Sequence, residues 1–130
     1  MAVQIINIEN SQELEVVVSG PDRANRLFIY TGTAVFEFKG TGGDWRRDSI
    51  SFPIGRTFQP GQFIRAIATA SLASIFNQNV ANNAGWAVES VDADWDDESG
   101  QVQLSAQLAV RDSDGFLNRI AYQASVLAAI

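Results

Sequence analysis

The sequence predicts an all-β protein, an antiparallel β-sandwich or jelly roll with a C-terminal three-stranded meander, built as a single domain over residues 1–130. Three observations lead there. Alternating apolar and polar residues recur along the chain, turn-forming clusters separate them at short intervals, and no βαβ alternation is present. By the usual size scaling a chain of 130 residues buries roughly two-thirds of its unfolded surface, enough for one self-sufficient core.

The elements follow in order. Ala2 to Ile8 and Glu13 to Ser19 are short β-branched runs, and Glu9-Asn10-Ser11-Gln12 between them reads as the turn of a first hairpin. Gly20-Pro21-Asp22-Arg23 then breaks the chain. Leu27 to Lys39 is a long strand in which Gly32 suggests a bulge or bend, and Phe28, Tyr30, Ala34, Phe36 and Phe38 share one core-facing parity. After the flexible connector Gly40-Thr41-Gly42-Gly43, Trp45 to Ile54 forms another strand, and Gln59-Pro60-Gly61-Gln62 fits a type II turn.

Phe63 to Phe76 is ambiguous, because the spacing of Ile64, Ala68, Leu72, Ile75 and Phe76 permits a helix while Thr69, Ser71 and Ser74 permit a strand. Helix propensity is a weak prior that tertiary context overrides, so the all-strand surroundings favour a strand. The stretch from Asn77 to Gly85 is a polar loop.

The last 45 residues are the most regular. Val102, Leu104, Ala106, Leu108 and Val110 alternate with Gln101, Gln103, Ser105, Gln107, Ala109 and Arg111, the period of a half-buried antiparallel strand. Asp97-Glu98-Ser99-Gly100 and Asp112-Ser113-Asp114-Gly115 flank it, each ending in the glycine that a type I turn with a G1 bulge takes, which reads as two consecutive hairpins. Their outer arms are Trp86 to Trp95 and Phe116 to about Leu127. Trp86 and Trp95 fall on opposite parities, so one is expected to leave the core, with Trp95 the more exposed. The final strand is apolar on both faces and reads as under-protected against pairing with another chain.

Composition narrows the function. With no histidine and no cysteine there is no Ser-His-Asp or Cys-His nucleophile, no thiolate or imidazole metal site and no disulfide, which argues against an enzyme. The net charge of −6, eight arginines and the single Lys39 supply no phosphate-neutralising patch, so no nucleic-acid partner is expected. No segment has the basic start of a signal peptide or the length of a membrane span, and the expectation is a cytoplasmic protein without a membrane partner.

Two candidate sites stand out. Asp92, Asp94, Asp96 and Asp97 concentrate carboxylate oxygens, the ligand type that calcium takes, and eight of the fifteen carboxylates lie between Glu89 and Asp114. The segment departs from an EF-hand loop, with Asp97 where a glycine is needed and Gln103 where a glutamate is needed. Alternate strand positions also stand roughly 6.8 Å apart, wide for one ion. Asp44, Trp45 and Arg46, beside the glycine connector, and Trp95 at a strand end combine an aromatic plate with hydrogen-bonding neighbours, as in groups that stack on a sugar or anchor a protein. The leading expectation is therefore a non-enzymatic binding or assembly module working as a homo-oligomer, with no cofactor. The alternative is a carbohydrate-binding, lectin-like domain, conceivably assisted by calcium.

Overall fold

A computed structural model of the chain describes residues 3–19, 24–77, 84–112 and 115–130. Among the described residues seven strands run in chain order: β1 (Ile5–Ser19), β2 (Ala24–Lys39), β3 (Trp45–Ile54), β4 (Phe63–Asn77), β5 (Gly85–Trp95), β6 (Val102–Arg111) and β7 (Gly115–Ala129). They form two antiparallel sheets, one ordered β1-β2-β7-β4 and the other β3-β6-β5, packed as a sandwich. Among the described residues no helix is long and apolar enough to cross a membrane.

Period-two patterning sets what lies between the sheets. Phe28, Phe36 and Phe38 of β2, with Leu117, Ile120 and Val126 of β7, meet Ile50 of β3 and Leu104, Leu108 and Val110 of β6, all essentially without solvent contact. No polar or charged residue is buried among the described residues, so the core carries no desolvated charge that needs a partner. Phe58, outside any strand, completes this core: its N–H donates to the Gly100 carbonyl at 2.7 Å and its ring lies 5.6 Å from that of Phe28. The sheets also approach one another along their sides. Val3, just before β1, donates its N–H to the Ser49 carbonyl of β3 at 2.9 Å, and Phe63 of β4 stacks on Trp95 of β5 at 6.4 Å.

Several expectations hold at the level of single elements. Residues 63–77 form a strand, Ala66, Ala68 and Ala70 packing against the core. The Gln59–Gln62 turn closes with Gln62 N donating to Gln59 O at 3.0 Å and Gly61 at φ 88. Gly20-Pro21-Asp22-Arg23, most of the 77–85 loop and Asp114 lie outside the described residues.

Other expectations are corrected. The first two runs are one strand, not a hairpin, because Asn10 at φ 55 makes a bulge between Glu9 and Gln12 and the chain continues in the same direction beside β2. The terminal meander does not form. β6 and β7 lie in different sheets, since both sides of β6 are already occupied by β3 and β5. β7 is accordingly no edge: it lies between β2 and β4, which use its backbone groups on both sides.

The expectation that one tryptophan of β5 leaves the core also fails. The ladder with β6 slips between Val88 and Ser90, so Glu89 is an extra residue and the facing reverses there. Trp86 and Val88 before the bulge, and Val91, Ala93 and Trp95 after it, all pack on the core.

Candidate functional site

The acidic segment is a set of turn and surface groups. Ala93 points inward, so Asp92 and Asp94 on either side of it are exposed, and the Asp94 carboxylate accepts the N–H of Trp95 at 2.9 Å. Asp96 opens the turn, accepting the Ser99 hydroxyl at 2.8 Å and the Glu98 N–H at 3.3 Å. The Ser99 hydroxyl, with the Glu98 amide, holds the Asp96 carboxyl below its ordinary value. Asp97 is exposed beyond it. The four carboxylates do not converge, and among the described residues no three such groups stand close enough to hold a metal ion.

The aromatic candidates are separated. Trp45 pairs with Arg111 at one end of β6 and Trp95 with Val102 at the other, so the two tryptophans lie at opposite ends of the smaller sheet. Asp44 and Trp45 are exposed, whereas Arg46 is half-buried, donating to the Lys39 carbonyl at 2.8 Å with its guanidinium 4.9 Å from the Phe38 ring centre. Trp95 uses its indole N–H on the Gly100 carbonyl at 2.9 Å and its face on Phe63. Asp44, Trp45 and Arg46 thus remain neighbours, and Trp95 belongs to the closure of the other end.

A cleft of about 470 Å³ is lined by Ser11, Gln12, Glu13, Tyr30, Arg56 and Tyr122 among others. Nothing in the linear sequence marks it, because its residues come from four separate segments. Gly32 and Gly55 make room for its two tyrosines: a Cβ at Gly32 would stand 2.5 Å from the Tyr122 hydroxyl, and one at Gly55 would enter the Tyr30 ring. Burial raises both phenols above their ordinary value, an effect opposed at Tyr30 by the Arg56 amide and at Tyr122 by a hydrogen bond from Ser11. Neither moves toward neutrality, where it would serve proton transfer. Arg56 donates to Glu13, lies near Glu15 at 3.9 Å and covers the Phe28 ring at 4.5 Å. The polar groups of the cleft are largely engaged with one another, and they close this end of the core.

The apolar side chains left in water tell a different story. Among the described residues, every exposed large apolar side chain except Trp45 and Ile130 lies on β1 or β4, the two edge strands of the larger sheet. The outer face of that sheet is divided. One row across it reads Gln12, Thr31, Gln123, Thr69, and Arg119 reaches back from β7 to Glu9 at 3.0 Å in the same polar half. The next rows read Leu14, Ile29, Ser125, Ile67 and Val16, Leu27, Leu127, Arg65. Their outermost members, Leu14 and Ile67, are 58% and 64% exposed.

The richest stretch is the C-terminal half of β1. Leu14, Val16 and Val18 point to the outer face and Val17 to the inner, and all four are exposed. This half of β1 contains no proline, no lysine and no bulge, and its two charged residues, Glu13 and Glu15, stand on the inner parity together with Val17. Its carboxylates are matched within the chain: Arg26 donates to Glu15 at 2.6 Å and Arg56 to Glu13. Sequence reasoning placed the under-protected strand at the C-terminus, because an apolar β-branched run looks alike at the edge and in the middle of a sheet. No protein-family model, curated protein or solved structure matches this chain.

Proposed function

We propose that the protein is a non-enzymatic assembly module that associates with further copies of itself through the β1 side of its larger sheet. The carrying observation is the set of exposed apolar side chains Leu14, Val16, Val17 and Val18 along an edge strand, on both of its faces. A free edge presents unpaired N–H and C=O groups along its length, and apolar side chains beside them make pairing favourable.

Assembly also suits the chemistry. Among the described residues the carboxylates do not gather at a metal-binding distance, the phenols are pushed away from neutrality, and the cleft's charges are internally paired. Sedimentation and light scattering at micromolar concentrations test the reading. A mass of twice 14.1 kDa or a higher multiple is expected, and a monomer throughout that range refutes it.

A further inference from the structure

Resting on that reading, we infer that two copies join by antiparallel pairing of β1 with β1 about a twofold axis at Val16, making one continuous eight-stranded sheet. The exposed side chains choose edge pairing over face packing. A partner laid on the outer face covers Leu14, Val16 and Val18 but leaves Val17, 61% exposed on the inner side, in water. A partner strand along the edge supplies cross-strand neighbours to both sets at once.

The register follows from parity and charge. A twofold axis perpendicular to the sheet keeps outer side chains opposite outer ones, so the axis must pass through a residue and not between two. Centring on Glu13 or Glu15 sets that carboxylate against its own copy, and centring on Leu14 sets Glu13 against Glu15. Like charges directly opposed are destabilising. Centring on Val17 avoids this but leaves Leu14 without a partner, because the strand ends at Ser19. Centring on Val16 opposes Leu14 with Val18 and Glu15 with Val17, sets no two carboxylates together, and uses the whole regular stretch after the bulge at Asn10. The occupant is a second copy because this segment is self-complementary in that one register.

The chain has no cysteine, so single introduced thiols report the register without background. Directly opposed residues have Cα atoms about 4.5–5.5 Å apart, within disulfide range, whereas a residue four positions off register lies roughly 14 Å from its copy. Under mild oxidation Val16→Cys is expected to form a covalent dimer. Leu14→Cys and Val18→Cys alone are expected to stay uncrosslinked, and an equimolar mixture of the two to crosslink. Each site lies outside the core of the single chain, so each variant is expected to keep the far-ultraviolet circular dichroism of the wild type, which shows that the fold is intact.

A charge swap gives an independent arm: Val16→Lys and Val16→Glu each sediment as monomers, and mixing them restores the dimer. Self-crosslinking of Leu14→Cys, or a Val16→Cys chain that sediments as a dimer yet does not crosslink, overturns the register while leaving assembly in place. A wild-type monomer overturns both.

Discussion

Gly55 is a position where one added methyl group is expected to be costly, and Gly61 supplies the control. Both residues have positive φ, 70 and 88. An alanine in that region carries a penalty of about 1–2 kcal/mol from its Cβ. Around Gly61 there is open space, so the conformational term stands alone. At Gly55 the new Cβ would lie 2.6 and 2.7 Å from the Cε atoms of Tyr30 and closer still to Cζ.

The Tyr30 ring has little room to retreat. It is 4% exposed, stacks on Phe28 at 6.2 Å, and its hydroxyl accepts the Arg56 N–H at 3.4 Å. Overpacking of this kind adds about 1–3 kcal/mol. Gly55→Ala is therefore expected to lose about 2–5 kcal/mol and Gly61→Ala only about 1–2, a difference large against the 5–15 kcal/mol typical of whole domains. Urea unfolding followed by tryptophan fluorescence measures both, with the slope unchanged and the midpoint shifted. In the double variant Gly55→Ala/Tyr30→Ala the losses are expected to be less than additive, because the clash is gone. Equal midpoint shifts for the two single alanine variants would refute the claim that Tyr30 is fixed against Gly55.

Three further outcomes are expected. Deleting Glu89 closes the β5 bulge and leaves Trp86, Val88, Val91, Ala93 and Trp95 on one regular core-facing alternation in the same register with β6. The fold is therefore expected to survive, with a thermal-unfolding shift well below the roughly 3–6 kcal/mol that turning two large side chains out would cost. Glu89→Ala keeps the bulge and removes only the exposed ion pair with Arg47, so thermal unfolding should change by less than about 1 kcal/mol. The raised Tyr30 and Tyr122 phenols contribute stability that is full below the unfolded value of about 10 and is lost as pH rises through the folded value. Tyr30→Phe should therefore flatten the alkaline limb of a stability–pH curve. Asp96 has a lowered folded value, so its contribution is present above the unfolded carboxylate pKa and lost as pH falls through the folded one. Asp96→Ala should flatten the acid limb.

What could be read from the sequence was what neighbours in the chain determine. The strict alternation of Val102 to Val110, the shared face of Phe28, Phe36 and Phe38, and the Pro60-Gly61 turn each record a local backbone preference, and each stands in the fold. Pairing is a different matter. The same turn-like sequence after β6 can lead to a hairpin or to a strand of the other sheet, and the choice is made by β3 and β5 occupying β6, far away in sequence.

Bulges were equally silent. One extra residue at Glu89 reverses inward and outward for the rest of β5, and nothing about glutamate there announces it. The exposed edge was missed for the same reason, since Val16-Val17-Val18 reads as core until its place at the end of the sheet is known.

The central position of β7 has a consequence for how the chain reaches this structure. β7 follows the other six strands in sequence, yet it is the only link between β2 and β4 in the larger sheet. Until it docks, β2 has an open side and β4 has no ladder partner among the described residues. Closing contacts this distant in sequence is slow, and the waiting edges are aggregation-prone in the meantime. During synthesis the larger sheet cannot be completed before its last strand has been made. A chain shortened ahead of Gly115 would hold β1 and β2 as a two-stranded ladder and leave β4, packed on β5 through Phe63 and Trp95, without a hydrogen-bonded strand beside it among the described residues.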